Sequence, residues 1–202
     1  MKMMLFPMGV ALVLLTLLSG CSANQPALTV QRDRSAEKFI SRFDRAYFSQ
    51  ASDGQLNVVL ITDGAGALAT IDRPLETGTT ASVRQIVLLR VLWQQTRGLR
   101  LDNPSASNAT VQWHVISSPD DRVTYTGSGW VQAQIDGDEA EIDLRNANVS
   151  IAQIVGNIND PLKRATLDGV LTAKRSDLAV KSYLDELADL APPKSPVSES
   201  RP

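Results

Sequence analysis

This 202-residue chain contains one cysteine, Cys21, and one histidine, His114. A disulfide needs two cysteines, and Cys/His zinc sites need several such ligands, so the count excludes both within the chain. The net charge is −2, and no basic block is present that could neutralise a row of phosphates. We therefore expect no nucleic-acid partner, no metal site and no cofactor.

The longest apolar run lies at the start of the chain. Lys2 precedes apolar residues that extend from Met3 to Leu18. This run is shorter than the ~20 apolar residues that a membrane-spanning helix needs. A positive start, an apolar middle and small residues before a cleavage point are typical of a secretory signal peptide. We predict that residues 1–20 are such a signal peptide.

The four residues that end this run, Leu18-Ser19-Gly20-Cys21, resemble the lipobox of bacterial lipoproteins. The resemblance covers only the start of the chain. It implies cleavage between Gly20 and Cys21, attachment of diacylglycerol and palmitate to Cys21, and anchoring in the cell envelope. Ser22, rather than Asp, follows the cysteine, which in the enterobacterial sorting pattern favours the outer membrane over the inner membrane. The alternative is an ordinary small residue, Cys21, near a conventional cleavage site.

The rest of the chain divides into three parts by composition. Residues 21–34 are predicted to be a tether after the lipidated cysteine, because large apolar side chains are scarce there. Residues 35–190 have the length of one domain that can bury a core. Residues 191–202 are rich in proline and have little to bury, so we predict a disordered tail.

Helical periodicity occurs at both ends of the predicted domain. Residues 35–49 place apolar side chains at the spacing of one helical face, with Phe39, Phe43 and Ala46 among them. Residues 176–190 repeat this pattern, and Ser176 is a suitable N-cap. The sequence therefore predicts an N-terminal and a C-terminal amphipathic helix.

The opposite side of the first predicted helix is basic. It would carry Arg34, Lys38, Arg42 and Arg45 close to the lipid anchor. Each such charge near an anionic membrane surface contributes ~1 kcal/mol of attraction. These residues are therefore candidates for contact with lipid headgroups. The alternative is a solvated helix face.

Strand patterns fill the middle of the chain. Asp136-Gly137 is a strong hairpin signal between two of them, and no helical pattern separates the others. Successive strands without helices between them indicate antiparallel pairing. The predicted strands are Leu56–Thr62 and residues 83–93, 110–117, 122–135, 139–144, 148–154 and 166–173. The predicted class is α+β, mainly antiparallel β: a sheet or flattened sandwich flanked by the two helices.

Three finer expectations follow from the sequence. A hairpin centred near Asn103 would place Trp93 opposite Trp113 on neighbouring strands. His114 alternates with Trp113 and Val115 and is read as a surface or half-buried strand residue. Asn108-Ala109-Thr110 and Asn148-Val149-Ser150 match the glycosylation acceptor pattern, and we read both matches as chance.

No catalytic constellation is visible in the sequence. Ser117 and Ser118 are near His114 only along the chain, and no Gly-x-Ser-x-Gly motif is present. We expect a non-enzymatic, lipid-anchored envelope protein that contacts the membrane through its anchor and binds an envelope protein or polymer. One alternative is a periplasmic carrier of a lipid or other apolar molecule. A weaker alternative is an envelope hydrolase that uses His114 or a pair of carboxylates.

Overall fold

A computed structural model describes residues 25–32, 37–62, 69–70, 83–94, 107–118, 120–157 and 162–190. The predicted signal peptide, Gly20, Cys21, Arg34 and the predicted tail lie outside the described residues.

The described part of the chain contains ten strands and one helix, and strands dominate. The strands are β1 (Ala27–Arg32), β2 (Lys38–Arg42), β3 (Arg45–Gln50), β4 (Leu56–Thr62), β5 (Ala69–Thr70), β6 (Arg84–Val91), β7 (Ala109–Ser118), β8 (Asp121–Asp136), β9 (Glu139–Val155) and β10 (Arg164–Arg175). The helix is α1 (Asp177–Asp189).

One mostly antiparallel sheet contains all ten strands, in the order β3-β4-β6-β7-β8-β9-β10-β1-β2-β5. The exception is a parallel pair between β10 and β3, in which Lys174 lies opposite Tyr47 and Arg175 opposite Phe48. This pair closes the strands from β3 to β10 into a ring. The first half of β10 pairs instead with β1, which continues the sheet to β2. The prediction of a mainly antiparallel sheet is confirmed.

The closed sheet encloses the main hydrophobic core. Along β7, Val111, Trp113 and Val115 point inward and are buried, as expected for alternating side chains on a strand. The aromatic rings of Trp113 and Tyr125 lie 5.5 Å apart inside it. Large buried side chains therefore fill the interior; they include Phe43, Phe48, Leu28, Leu56, Leu60, Leu89, Ile142 and Leu144.

The approach of β8 to β9 depends on glycine. A Cβ atom added to Gly127 would lie 1.8 Å from the carbonyl oxygen of Asn148, and one added to Gly129 would lie 2.5 Å from the Cβ of Ala147. The register on both sides of β9 shifts near Asn146, which has a φ of 50°. Such a bulge bends a strand, and the glycines leave room for the bent strand.

Helix α1 packs on the outside of the closed sheet. Ser176 caps it, since its hydroxyl accepts a hydrogen bond of 3.3 Å from the Ala179 amide. Val180 and Leu187 pack on a second apolar cluster formed by the outer sides of β4 and β6. Arg84 makes a bidentate ion pair with Glu186. The predicted C-terminal helix is confirmed.

The predicted N-terminal helix is wrong, because strands β2 and β3 occupy that segment. Phe39 and Phe43 point inward from the β2 side, and Ala46 and Phe48 point inward from β3. Asp44 and Arg45 are both exposed, so the alternation slips by one residue between the two strands. Buried residues thus recur at positions 39, 43 and 46, which is the spacing that a helical face also has.

The predicted pairing of Trp93 with Trp113 is also wrong. Strands β6 and β7 pair in a register that places Val87 opposite Trp113. Trp113 is buried, whereas Trp93 follows the end of β6 and contacts Trp130. In addition, β1 lies within the stretch that was predicted to be a tether, so regular structure begins closer to Cys21 than expected.

Candidate functional site

The closed sheet has two distinct ends. At the first, which we call the entry end, the chain joins the fold: Pro26 accepts a hydrogen bond of 2.8 Å from the Phe43 amide, and the Asp44 amide donates to Ile61 at 2.8 Å. The opposite end, which we call the far end, contains the register pairs of Leu56 with Val91 and of Val91 with Ala109. The strands therefore run from the entry end, where the chain joins the fold, to the far end.

Exposed apolar side chains mark the far end. Leu92 and Trp93 follow β6, and Trp93 is 45% exposed. The ring centroids of Trp93 and Trp130 lie 5.4 Å apart with an interplanar angle of 72°. This edge-to-face arrangement is favourable for aromatic pairs. We call Leu92, Trp93 and Trp130 the aromatic corner.

The side chain of Asn108 connects the two segments that carry the aromatic corner. This side chain is 1% exposed. Its Nδ2 donates to the carbonyl oxygens of Trp93 at 3.0 Å and of Val131 at 2.8 Å, and its Oδ1 accepts from the Val131 amide at 2.7 Å. One buried amide therefore ties the segment that carries Trp93 to the strand that carries Trp130. This burial agrees with reading its acceptor-pattern match as chance.

A row of uncharged polar side chains runs from the aromatic corner across the outer face. Thr110 on β7 lies opposite Ser128 on β8, Ser128 opposite Asn148 on β9, and Asn148 opposite Thr166 on β10. We call these four residues the polar row. Thr166 Oγ1 donates to Asn148 Oδ1 at 3.1 Å.

An open cleft of about 370 Å³ lies at the β10 side of the polar row. Asn148 and Thr166 line it, together with their neighbours Ser150 and Arg164. Ser128 is the cross-strand neighbour of Asn148 and stands two residues before Trp130 on β8. The cleft, the polar row and the aromatic corner are therefore continuous on one face of the sheet.

Arginines lie at the margins of this continuous surface. Arg90 on β6 is exposed and lies opposite Thr110, the first residue of the polar row. Arg145, the cross-strand neighbour of Trp130, is neutralised by an ion pair with Asp143, whose Oδ2 accepts from Nε at 2.9 Å. This pair raises the pKa of the Arg145 guanidinium through its hydrogen bond and charge. Arg164 lies at one margin, on the cleft. The side chains between these margins offer hydroxyl and amide groups.

His114 lies on the outer side of β7 and is 7% exposed, so it is more buried than expected. Its Nδ1 shares a hydrogen bond of 3.1 Å with Thr124 Oγ1, whereas the buried Nε2 has no partner in the described part of the chain. Burial, helped by the positive charge of Arg122, lowers its pKa to about 4. Neither ring nitrogen is hydrogen-bonded to a carboxylate in the described part of the chain, whereas a catalytic base is usually oriented by such a group.

Three of the four candidate headgroup contacts are described, and all three are exposed. Lys38 and Arg42 share the outer face of β2, and Arg45 begins β3. Arg42 pairs in register with Ala27, so it lies at the entry end. Arg45 lies opposite Ile61 at the same end. The strands therefore place two of the predicted cations beside the point where the chain joins the fold.

Asp136, Asp138 and Glu139 form an acidic cluster at the β8–β9 hairpin, where all three are exposed. Gly137 has a φ of 58°, which suits the left-handed position of a two-residue hairpin. Asp138 forms an ion pair of 3.6 Å with Arg175, which also stacks over Phe48. No cluster of three or more His, Cys, Asp or Glu side chains that could hold a metal occurs in the described ranges.

Comparison with protein-family models, with curated proteins and with solved structures finds no match to this chain. Among the helices of the described residues, none has the length and apolar character needed to cross a bilayer.

Sequence reasoning missed the aromatic corner and its supporting amide. Trp130 stands between Gly129 and Val131, and its exposed neighbours Ser128 and Gln132 show which face it shares. That alternation was visible in the sequence. The link from Trp93 to Trp130 through Asn108 was not, because it joins three separate segments.

Proposed function

We propose that this protein is a lipid-anchored component of a bacterial cell envelope, and that its closed sheet is a non-enzymatic binding module. The observation that carries the proposal is the short distance along the chain between Cys21 and Pro26, the residue at which the chain joins the fold. Five residues span at most ~18 Å when fully extended. An acylated Cys21 would therefore hold the entry end close to the lipid and turn the far end away from it.

The surface at the entry end supports this orientation. Arg42 and Arg45 are exposed there, where anionic headgroups would attract them at ~1 kcal/mol each. The acyl chains supply most of the attachment, since each buried methylene contributes ~0.8 kcal/mol. Lys38 is four residues away from Arg42 on the same face of β2. Ser22 favours the outer membrane as the location.

The packed interior favours binding at the surface over transport of an apolar cargo. Trp113, Tyr125, Phe43 and Phe48 occupy the centre of the closed sheet. A carrier needs a pocket of at least ~300 Å³ lined mainly by apolar side chains. The cleft at the polar row is open and polar instead. The buried, neutral His114 gives a hydrolase no support either.

The test is to express the full-length chain in a bacterial host and to analyse the N-terminus of the recovered protein by mass spectrometry. We expect a peptide that begins at Cys21 and carries acyl chains, and partition of the protein into the detergent phase. Cys21→Ser should abolish acylation, while the matched variant Ser22→Ala should retain it. Recovery of an intact Met1, or of an unmodified N-terminus elsewhere, would refute the proposal.

A further inference from the structure

The aromatic corner is exposed and also rigidly supported, a combination that core packing does not require. Trp93 is 45% exposed, and its backbone is bonded to Asn108, a buried side chain that also holds β8 at Val131. Contiguous exposed apolar side chains are one feature of binding sites on proteins. Indole rings bind through their flat, electron-rich faces. A ligand with polarised C–H groups on a flat face is suited to such a ring.

The polar row extends this contact with hydrogen-bonding groups. Thr110, Ser128, Asn148 and Thr166 lie on four neighbouring strands, which at ~4.8 Å per strand span about 14 Å. Hydroxyls and amides both donate and accept hydrogen bonds, so they match a ligand that carries many hydroxyl groups. The four side chains of the row carry no charge themselves; Arg90 adjoins Thr110 at one end, and Arg164 lines the cleft of about 370 Å³ at the other.

These properties favour a sugar polymer over a protein. The centres of protein interfaces are depleted in serine and enriched in arginine, methionine and aromatic residues. Here a single aromatic corner adjoins a surface of hydroxyl and amide side chains. A polyanion would need a continuous basic track, whereas Arg90 and Arg164 lie at opposite ends of the polar row with uncharged side chains between them. Arg145 next to Trp130 is already paired with Asp143.

We propose that the aromatic corner and the polar row form a binding site for an uncharged polysaccharide chain. A sugar ring stacks on the exposed face of Trp93, and the following rings lie along Ser128 and Asn148 toward the cleft. Asn108 is a positioning residue, because it sets the relation between Trp93 and Trp130 without reaching the ligand. The inference deepens the proposed function by naming a ligand class, and it relies on lipid anchoring only for the orientation of the site.

The experiment uses the lipidated protein in detergent on an array of uncharged and anionic glycans, followed by titration with chitohexaose, cellohexaose and heparin. Intrinsic tryptophan fluorescence and calorimetry report binding. We expect binding to at least one uncharged oligosaccharide. Trp93→Ala should weaken it by about tenfold or more, as the loss of a central aromatic contact does. Asn148→Ala should weaken it by a smaller factor, and Leu178→Ala, a change at an 83% exposed site on α1, should leave it unchanged.

Asn108→Ala separates positioning from folding. The indoles of Trp93 and Trp130 are close enough for their electronic transitions to couple. The wild-type circular dichroism spectrum should therefore contain an exciton couplet. In Asn108→Ala the couplet and the affinity should fall together while the β-sheet signal remains. A tryptophan couplet and an affinity that both match wild type would remove Asn108 from the proposal.

Three results would overturn the inference: no binding to any uncharged glycan, stronger binding to heparin than to uncharged glycans, or equal affinity of folded Trp93→Ala and wild type. Thermal unfolding verifies that each variant is folded. The Cys21→Ser variant distinguishes the two proposals. If it binds glycan as wild type does and the native N-terminus is not acylated, only the anchoring proposal fails. If acylation is found without glycan binding, only the present inference fails.

Discussion

Acidification should destabilise this fold through His114. The imidazole is 7% exposed, shares a hydrogen bond with Thr124, and has a pKa lowered to about 4 by burial and by the charge of Arg122. In the unfolded chain the pKa of a histidine is about 6.5. The unfolded state therefore takes up the proton first as the pH falls, so protonation favours unfolding.

The stabilisation from the neutral imidazole is complete above about pH 6.5 and is lost as the pH falls toward 4. The difference between the two pKa values corresponds to a loss of at most ~3 kcal/mol in the free energy of unfolding, at 1.36 kcal/mol per pH unit. Carboxylates also titrate near the lower end of this range. We therefore compare wild type with His114→Gln, which cannot take up this proton but retains hydrogen-bonding capacity toward Thr124.

The assay is urea unfolding at several pH values between 7 and 4, for both proteins. The free-energy difference between them should change by up to ~3 kcal/mol in favour of the variant as the pH is lowered. Because His114 is the only histidine in the chain, its imidazole resonances can be followed directly by NMR. An imidazole that titrates near pH 6.5 in the folded protein, or parallel losses of stability in the two proteins, would refute the reasoning.

Two further changes test the packing of the sheet and the docking of the helix. Gly127→Ala should lower the free energy of unfolding, measured by chemical denaturation, by ~3 kcal/mol or more. The reason is that the new Cβ would lie 1.8 Å from the Asn148 carbonyl oxygen. A loss below ~1 kcal/mol, the level expected of the neighbouring Ser128→Ala, would contradict that close approach. Glu186→Gln should lower the free energy of unfolding by no more than ~1 kcal/mol, because the Arg84–Glu186 pair is about one third exposed. The difference should shrink in ~1 M salt, where charges are screened, and a salt-independent loss in thermal unfolding would point to packing instead.

Most strands were identified from local sequence patterns. These strands are unbroken, and their buried and exposed residues follow one consistent alternation. Strand β4 was predicted at its observed bounds, Leu56–Thr62, because a short apolar run is bounded by turn residues. The Asp136-Gly137 hairpin was identified by its turn chemistry. Both signals depend only on neighbours along the chain.

The errors arise where a pattern changes phase or depends on distant partners. The slip at Asp44 converts two strands into an apparent helical stripe, so periodicity alone leads to the wrong structure. His114 stands on the outer side of β7, so alternation along the strand predicts exposure and not the observed burial. The register of β6 against β7 could not be derived, because a long connection separates them.

The candidate site was the least predictable part. Ser128 and Asn148 each alternate correctly on their own strands, but only the register of β8 against β9 makes them neighbours. A one-residue change of register would move every side chain of a strand to the opposite face. The bulge near Asn146 sets that register, and no local signal in the sequence indicates it.

The parallel pair between β3 and β10 affects when the sheet can close during synthesis of the chain. It joins Tyr47 to Lys174, so the ring cannot close until β10 has been made, more than 120 residues after β3. Contacts between such distant positions form slowly, since loop closure costs entropy before the contact repays it. A nascent chain with this topology keeps its ring open until β10 has been synthesised. Late closure is therefore a consequence of the strand order alone.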